Sequence, residues 1–420
     1  MKKTLLAVAL TAALTGTPLM ADSSLEDRVQ RLEQLLGGLQ DRVDEQDRII
    51  GQQDQTIRRQ GKTIERQTDL IDSQQKQLVT GGASSTGGGW FQNVDLGGVV
   101  EVEANHTDPY TGNSSNDLVL ATVEVAISSQ VNDWVRADIV LLHEEDDTDL
   151  EVDVGTITVA PPDGGWFLTT GQFYLPFGAY ESNMISDPLT LEIGETRESA
   201  LQVGFENGPF SGSVYAFNGT NKRNRGVEDR IDNWGANLAV AHEANGVNLS
   251  AGAGYINDIG DSDTLQDQIN TNLTTNDVRD HISGWTANAM AEAGSFVFIG
   301  EYLAATDDFE TTELPFDGSG AEPKAWNAEV GYNFDLMGKD STVAVGYQRT
   351  KEALGLGLPK RRWLLGWSVN ILENTALSFE VAHDKDYRTS DTSTDSDGNA
   401  VSGTGESSNT ITTQLAVEFP

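Results

Sequence analysis

From residue 90 onward the chain breaks into about sixteen segments that alternate apolar with polar, glycine or small side chains. Side chains on a strand point to opposite faces in turn, so a segment of about ten such residues can cross a tilted bilayer path with one face for lipid and one for water. Val135, Ala137, Ile139 and Leu141 alternate with Arg136, Asp138, Val140 and Leu142. Val343, Val345 and Tyr347 alternate with Ala344, Gly346 and Gln348, and Leu377, Phe379 and Val381 with Ser378, Glu380 and Ala382. Strands are predicted near 94–104, 118–129, 134–144, 150–159, 166–175, 198–206, 210–218, 231–243, 247–257, 281–292, 295–306, 325–334, 341–350, 361–371, 375–386 and 409–419. The fold class expected is an all-β transmembrane barrel, with the even strand count usual in such barrels. Soluble sandwiches and propellers also alternate, but no blade-length repeat is present.

The connections carry independent information. Tight links such as Gln130–Asp133, Asn207-Gly208-Pro209, Ala244-Asn245-Gly246, Ala293-Gly294 and Leu372-Glu373-Asn374 alternate with long polar ones. The long ones include Tyr174–Arg197, Gly219–Arg230, Asp258–Asp280, Asp307–Lys324 and Arg388–Ser408. Outer-membrane barrels keep short turns in the periplasm and long loops outside, which puts both ends of the barrel in the periplasm. Ile411, Thr413, Leu415, Val417 and Phe419 share one face of an amphipathic last strand, although Pro420 follows the aromatic. Trp134, Trp166, Trp234, Trp285, Trp326 and Trp363 fall at or near predicted strand ends, as interfacial girdles require.

The region before the barrel reads differently. Lys2 and Lys3 precede an apolar stretch from Leu5 to Leu14, and Leu19-Met20-Ala21 ends in a small residue, so residues 1–21 are expected to be a cleaved secretory signal. The apolar run Thr4–Met20 is shorter than a spanning helix needs, which excludes a helical membrane protein. In residues 22–79, Val29, Leu36, Val43, Ile50, Ile57, Ile64, Ile71 and Leu78 recur every seven positions, with Leu32 and Leu39 on the second seam. That spacing predicts an α-helical coiled coil. From Gln46 the second seam becomes amide, at Gln53, Gln60, Gln67 and Gln74. Layers of Ile50, Ile57, Ile64 and Ile71 against glutamines specify register and favour a homotrimer, in which three inward amides bond around the axis. Residues 80–89 form a Gly/Ser linker.

Of the 65 acidic and 27 basic residues, 12 and 11 lie in residues 1–89, leaving 53 and 16 in 90–420. A chain this acidic repels the phosphate backbone, so no nucleic-acid partner is expected. The five histidines, at 106, 143, 242, 281 and 383, show no metal-ligand spacing, and no nucleophile motif accompanies them. With no cysteine either, the chain reads as a non-enzyme, and no cofactor or metal is implied.

Three groups of residues could carry function. The connection Tyr174–Arg197 combines Phe173, Tyr174, Phe177 and Tyr180 with Glu181, Asp187, Glu192, Glu195 and Glu198 beside Arg197. Folded inward, it would form a constriction with opposed charges; otherwise it caps the barrel mouth as a surface loop. Glu101, Glu103, Glu124, Arg136 and Asp138 are inward positions that would line the pore, or serve only as hydrogen-bonded wall. Lys222, Arg223 and Arg225, and separately Lys360, Arg361 and Arg362, could bind lipopolysaccharide phosphates or capture an anionic chelate.

The segment Phe173–Glu206, around Leu175-Pro176-Phe177-Gly178, Ser186-Asp187-Pro188-Leu189-Thr190 and Gly194-Glu195-Thr196, resembles the LbtU-type siderophore porins, outer-membrane barrels with an N-terminal coiled coil. The layout of signal, coiled coil and barrel extends that resemblance. It implies passive passage of a ferric siderophore across the Gram-negative outer membrane. An energised receptor has about 22 strands and a plugged lumen, whereas a coiled coil and linker stand where the plug would be. The charge conflicts with an anionic siderophore, since an acidic pore favours cations. A general cation-preferring diffusion porin is therefore the alternative. A third reading is an envelope tether whose stalk contacts the cell wall.

Overall fold

The computed structural model describes residues 94–145, 148–223, 231–244, 246–273 and 277–419. The expected signal, coiled coil and linker, with the seam Ile50–Gln74, lie outside the described residues, as does Arg225. Sixteen strands hydrogen-bond in sequence order and close into a barrel. They are β1 (Val94–Asp108), β2 (Ser115–Asn132), β3 (Val135–Glu144), β4 (Thr148–Val159), β5 (Trp166–Tyr174), β6 (Arg197–Asn207), β7 (Phe210–Phe217) and β8 (Asn233–Ala244). The ring continues with β9 (Val247–Ile256), β10 (Gly284–Ala293), β11 (Phe296–Ala305), β12 (Lys324–Asp335), β13 (Asp340–Lys351), β14 (Arg361–Leu372), β15 (Thr375–Lys385) and β16 (Ser407–Phe419). Every pairing is antiparallel, and β1 closes on β16 from Gly98↔Phe419 to Asp108↔Asn409. The predicted strands match these elements, with ends displaced by a few residues.

Alternation sorts the wall into two faces. Ile139, Leu201, Val203, Leu238, Val345, Leu365, Val381 and Ile411 point outward and are exposed. So much apolar surface facing outward is unstable in water and suited to lipid. Aromatic pairs ring the outside at both ends. At the end carrying the long loops, ring centroids lie 5.2 Å apart for Trp234–Tyr255, 5.1 Å for Trp285–Tyr302, 5.1 Å for Trp326–Tyr347 and 4.4 Å for Tyr347–Trp363. At the turn end, Trp134–Trp166 is 6.4 Å and Phe296–Tyr332 5.0 Å. Amphipathic rings collect at the headgroup level, so the two rows bracket the apolar band. Gly208 and Gly294 sit in the tight turns with φ of 61° and 60°, a left-handed conformation glycine adopts without steric cost.

The loop end holds structure that alternation does not predict. Two helices form there, α1 (Leu189–Gly194) and α2 (Asp263–Asn272). Pro315–Phe316 and Ser319–Gly320 join Thr392–Thr394 and Ala400–Ser402 in a small sheet, and Lys222–Arg223 pairs with Asp277–Val278. Not every link at this end is long, since only residues 145–147 separate β3 from β4.

Leu365 pairs with Val345 near the middle of its strand, whereas Leu96 lies close to the turn-end rim. Leu365→Arg is expected to destabilise the membrane-inserted barrel by about 2–4 kcal/mol and Leu96→Arg by about 0–1 kcal/mol. Denaturant titration of protein folded in liposomes measures both.

Candidate functional site

Between β5 and β6 the chain makes an inner loop, residues 175–196. Leu175 N donates to Thr196 O at 2.8 Å, so the loop leaves and re-enters the wall at one place. The segment then crosses the barrel. Lacking a ladder of its own, it must find partners for its backbone N–H groups elsewhere, because burying them unpaired is costly. Three glutamates on the inner wall accept them. Glu301 on β11 takes Ala179 N at 2.9 Å and Tyr180 N at 2.8 Å, and the Thr190 hydroxyl donates to it at 3.2 Å. Glu329 on β12 takes Asn183 N at 2.9 Å and the Ser182 hydroxyl at 2.6 Å. Glu380 on β15 takes Ile185 N at 2.7 Å and Ser186 N at 3.0 Å, and also accepts from the Ser186 hydroxyl. Gln348 on β13 accepts from Leu189 N at 3.1 Å, and Thr286 on β10 donates to Phe177 O.

Strand β13 is the eighth from β5 in either direction around the ring, so the loop reaches the opposite wall. The two oxygens of a carboxyl group can accept several donors at once, and here they replace a ladder. Glycines allow the approach. A Cβ at Gly254 would stand 1.8 Å from Phe177 O, and one at Gly366 2.8 Å from Met184 Sδ.

The other side of the loop is apolar. Leu175, Phe177, Tyr180, Leu189, Leu191 and Ile193 join Ile256, Ile259, Leu265, Ile269, Leu303, Phe309, Leu314, Leu356 and Leu358 in one buried core at the loop end. Side-chain amides lock the mouth further. Gln268 on α2 donates to Thr394 O and Asp395 O at 3.1 and 2.9 Å, and Asn272 to Glu313 O at 2.9 Å. Asp263 N donates to Glu195 O at 2.9 Å, tying α2 to the end of the inner loop.

The residues singled out in sequence are distributed as follows. Phe177 and Tyr180 are buried in the mouth core, so they hold the loop in place. Asp187 and Glu192 are buried, and Glu195 caps α1. Arg197 begins β6, where its Nη1 meets Glu151 and Asp153 of β4 at 2.7 and 2.8 Å. That differs from an arginine facing acids across the pore, because the neighbouring wall already neutralises it. Glu198 follows it on β6, half-buried. Glu101, Glu103, Glu124, Arg136 and Asp138 occupy the inner register of β1 to β3, and Arg136 bonds Asp138 at 2.7 Å and Ser128 at 2.9 Å.

Among the described residues, the members of the basic clusters have protein partners or lie on different faces of the wall. Arg223 pairs with Asp280 at 3.0 Å beside Lys222. Lys360 is held by Asp391 at 3.1 Å and lies 5.0 Å from the centre of the Tyr387 ring. Strand alternation then separates the next two residues. Arg361 faces outward, while Arg362 faces inward with paired bonds to Asp384 of 2.8 and 2.9 Å. Of the residues that tether the inner loop, the sequence placed Gln348 and Glu380 only as members of an alternating strand register. The available signal was a set of glutamates on the water-facing register of otherwise apolar strands.

Buried acids in the loop after β9 make the mouth pH-sensitive. Burial pushes Asp261 up to about 7, with Glu198 and Asp232 adding to the rise, although Asn221 N donates to it at 2.9 Å. Burial and the neighbouring Asp261 also hold Asp258 well above its ordinary value. A carboxyl whose folded value exceeds its unfolded one costs stability at high pH, and that cost is relieved as pH falls through the folded value. Burial lowers His281, which opposes the trend only as pH drops below its ordinary value of 6.5. Backbone amides of 257–273 are therefore expected to exchange with deuterium more slowly at pH 6.5 than at pH 8, after correction for the intrinsic pH dependence of exchange, and Asp261→Asn should remove most of the difference.

Replacing Glu301, Glu329 and Glu380 together by Ala leaves buried donors unpaired, at about 1–3 kcal/mol for each group. The inner loop is expected to leave the wall. Single-channel recordings should then show a larger and noisier conductance.

No family model matches the chain. A UPF0422 protein of Coxiella burnetii is 28% identical over 344 residues, covering 78% of this chain and 72% of the relative. A UPF0422 protein of Legionella pneumophila (strain Lens) is 28% identical over 357 residues, covering 78% of this chain and 66% of its own length. Among solved structures, the anion-selective porin from Comamonas acidovorans superposes with a TM-score of 0.52 at 13% identity, over 78% of this chain and 99% of that one. Pseudomonas putida OprB in its high-pH structure gives 0.52 at 10% identity, over 84% and 97%. These likenesses show that the fold is that of the porins.

Proposed function

We propose that this protein is an integral outer-membrane porin that passes ferric siderophores or similar small solutes passively into the periplasm. The observation that carries the reading is the inner loop tied to the far wall of a closed barrel, at Glu301, Glu329 and Glu380. A sixteen-strand barrel without such a loop is a wide aqueous channel. With one, diameter and the field of its lining select what enters. Sixteen strands also fall well short of the about 22 of energised receptors, which supports passive transport. The siderophore assignment rests on the resemblance of Phe173–Glu206 to the LbtU-type porins. The stalk is read as a periplasmic trimeric coiled coil, with cell-wall contact a further role for it.

One observation favours the second reading, a general cation-preferring porin. The inner-facing Arg136 and Arg362 are each bound to carboxylates, while Glu101, Glu103 and Glu124 add further inward acid. Such a lining favours neutral or cationic chelates over anionic ones.

Cells expressing the protein are expected to take up ferric siderophore faster than cells lacking it. In planar bilayers, ferric chelate should block a moderately cation-selective current. Strong cation selectivity with neither block nor uptake would leave the general porin as the better reading.

A further inference from the structure

Only 16 basic residues fall in 90–420, yet five of them, Lys324, Arg349, Lys351, Arg361 and Lys385, stand on adjacent strands at the loop-end rim. All five take the outward register, alternating with the buried Ala325, Gln348, Thr350, Arg362 and Ala382 positions. Cross-strand pairing sets them side by side. Lys324 is opposite Lys351, Arg349 opposite Arg361, and Arg361 in turn opposite Lys385. Trp326, opposite Arg349, together with Tyr347 and Trp363 forms the aromatic row at the same height and immediately below. The girdle therefore fixes the depth of these cations at the headgroup level.

The two arginines differ from the lysines around them. Lys324 meets Glu322 at 2.8 Å, Lys351 meets Glu352 at 2.7 Å, and Lys385 donates to Gly405 O. Among the described residues, no carboxylate pairs with Arg349 or Arg361, although both are exposed. Like charges directly opposed on a ladder repel. In a chain with 65 acidic residues, two facing guanidinium groups without a carboxylate between them call for an anion from outside. Guanidinium groups bind phosphate oxygens through paired, planar hydrogen bonds, and a phosphate between two of them relieves their repulsion.

We propose that Arg349 and Arg361, with Lys385 beside them, form a binding site for a phosphate of lipopolysaccharide in the outer leaflet. The acyl chains would lie along the apolar wall formed by Val345, Leu365 and Val381. This site is distinct from the consecutive Lys360-Arg361-Arg362 cluster, which strand alternation divides between two faces. It rests on the reading that the loop end faces outward, and it concerns the lipid-facing side of the wall, so conductance in pure phospholipid bilayers is independent of it.

The test compares the full-length wild type with Arg349→Ser/Arg361→Ser in detergent, using native mass spectrometry to measure retention of short-chain lipopolysaccharide. The double variant should bind at least tenfold more weakly, while its conductance in phospholipid bilayers stays at the wild-type value and so reports a folded channel. Equal binding by the two proteins overturns the site. A second measurement needs no variant: wild type should lose tenfold or more in affinity for the same glycolipid after its phosphates are removed. Undiminished binding of the dephosphorylated form also overturns it. Retention of phosphatidylglycerol as tightly as lipopolysaccharide overturns the glycolipid assignment and leaves a general anion contact.

Discussion

Hydrocarbon offers no partner to a peptide group, and this constraint orders the whole molecule. An antiparallel ladder satisfies every strand only if its first and last members meet, as β1 and β16 do from Gly98↔Phe419 to Asp108↔Asn409. Closure creates an interior, and the interior poses the same problem again for any chain placed within it. The inner loop solves it with side-chain acceptors on the wall. Its backbone donors find carboxylates at Glu301, Glu329 and Glu380, an amide at Gln348, and a core of loop residues that covers the remaining apolar side.

The barrel was legible because period-two alternation is local. Strands such as β13 and β15 could be read from neighbouring residues, including which side of Val345 or Glu380 faced lipid. The tether was not legible for the opposite reason. Ala179 and Glu301 are separated by 122 positions, and Ile185 and Glu380 by 195, so nothing near either residue announces the other. The mouth core was hidden in the same way, with its leucines and isoleucines scattered among polar loops. Lys360, Arg361 and Arg362 show a different failure. Their proximity in sequence suggested one patch, yet strand alternation, legible from the start, sends Arg361 and Arg362 to opposite faces.

Charge is handled differently on the two faces of the wall. Inside, Arg136 and Arg362 each lie against a carboxylate, so these positive charges are fixed and the acids set the sign. Outside, acid is sparse around Arg349 and Arg361, and cations outnumber their protein partners. An overall charge of -38 thus says little about any one surface. Its distribution between faces, loops and rim carries the chemistry.

The wall residues described above as bonding the inner loop, from Thr286 through Glu301, Glu329 and Gln348 to Glu380, lie downstream of it in the chain. A wall lacking those strands would offer the loop none of these partners. The narrowing therefore depends on the second half of the barrel, and the pore cannot be constricted in this way until those strands stand in the wall.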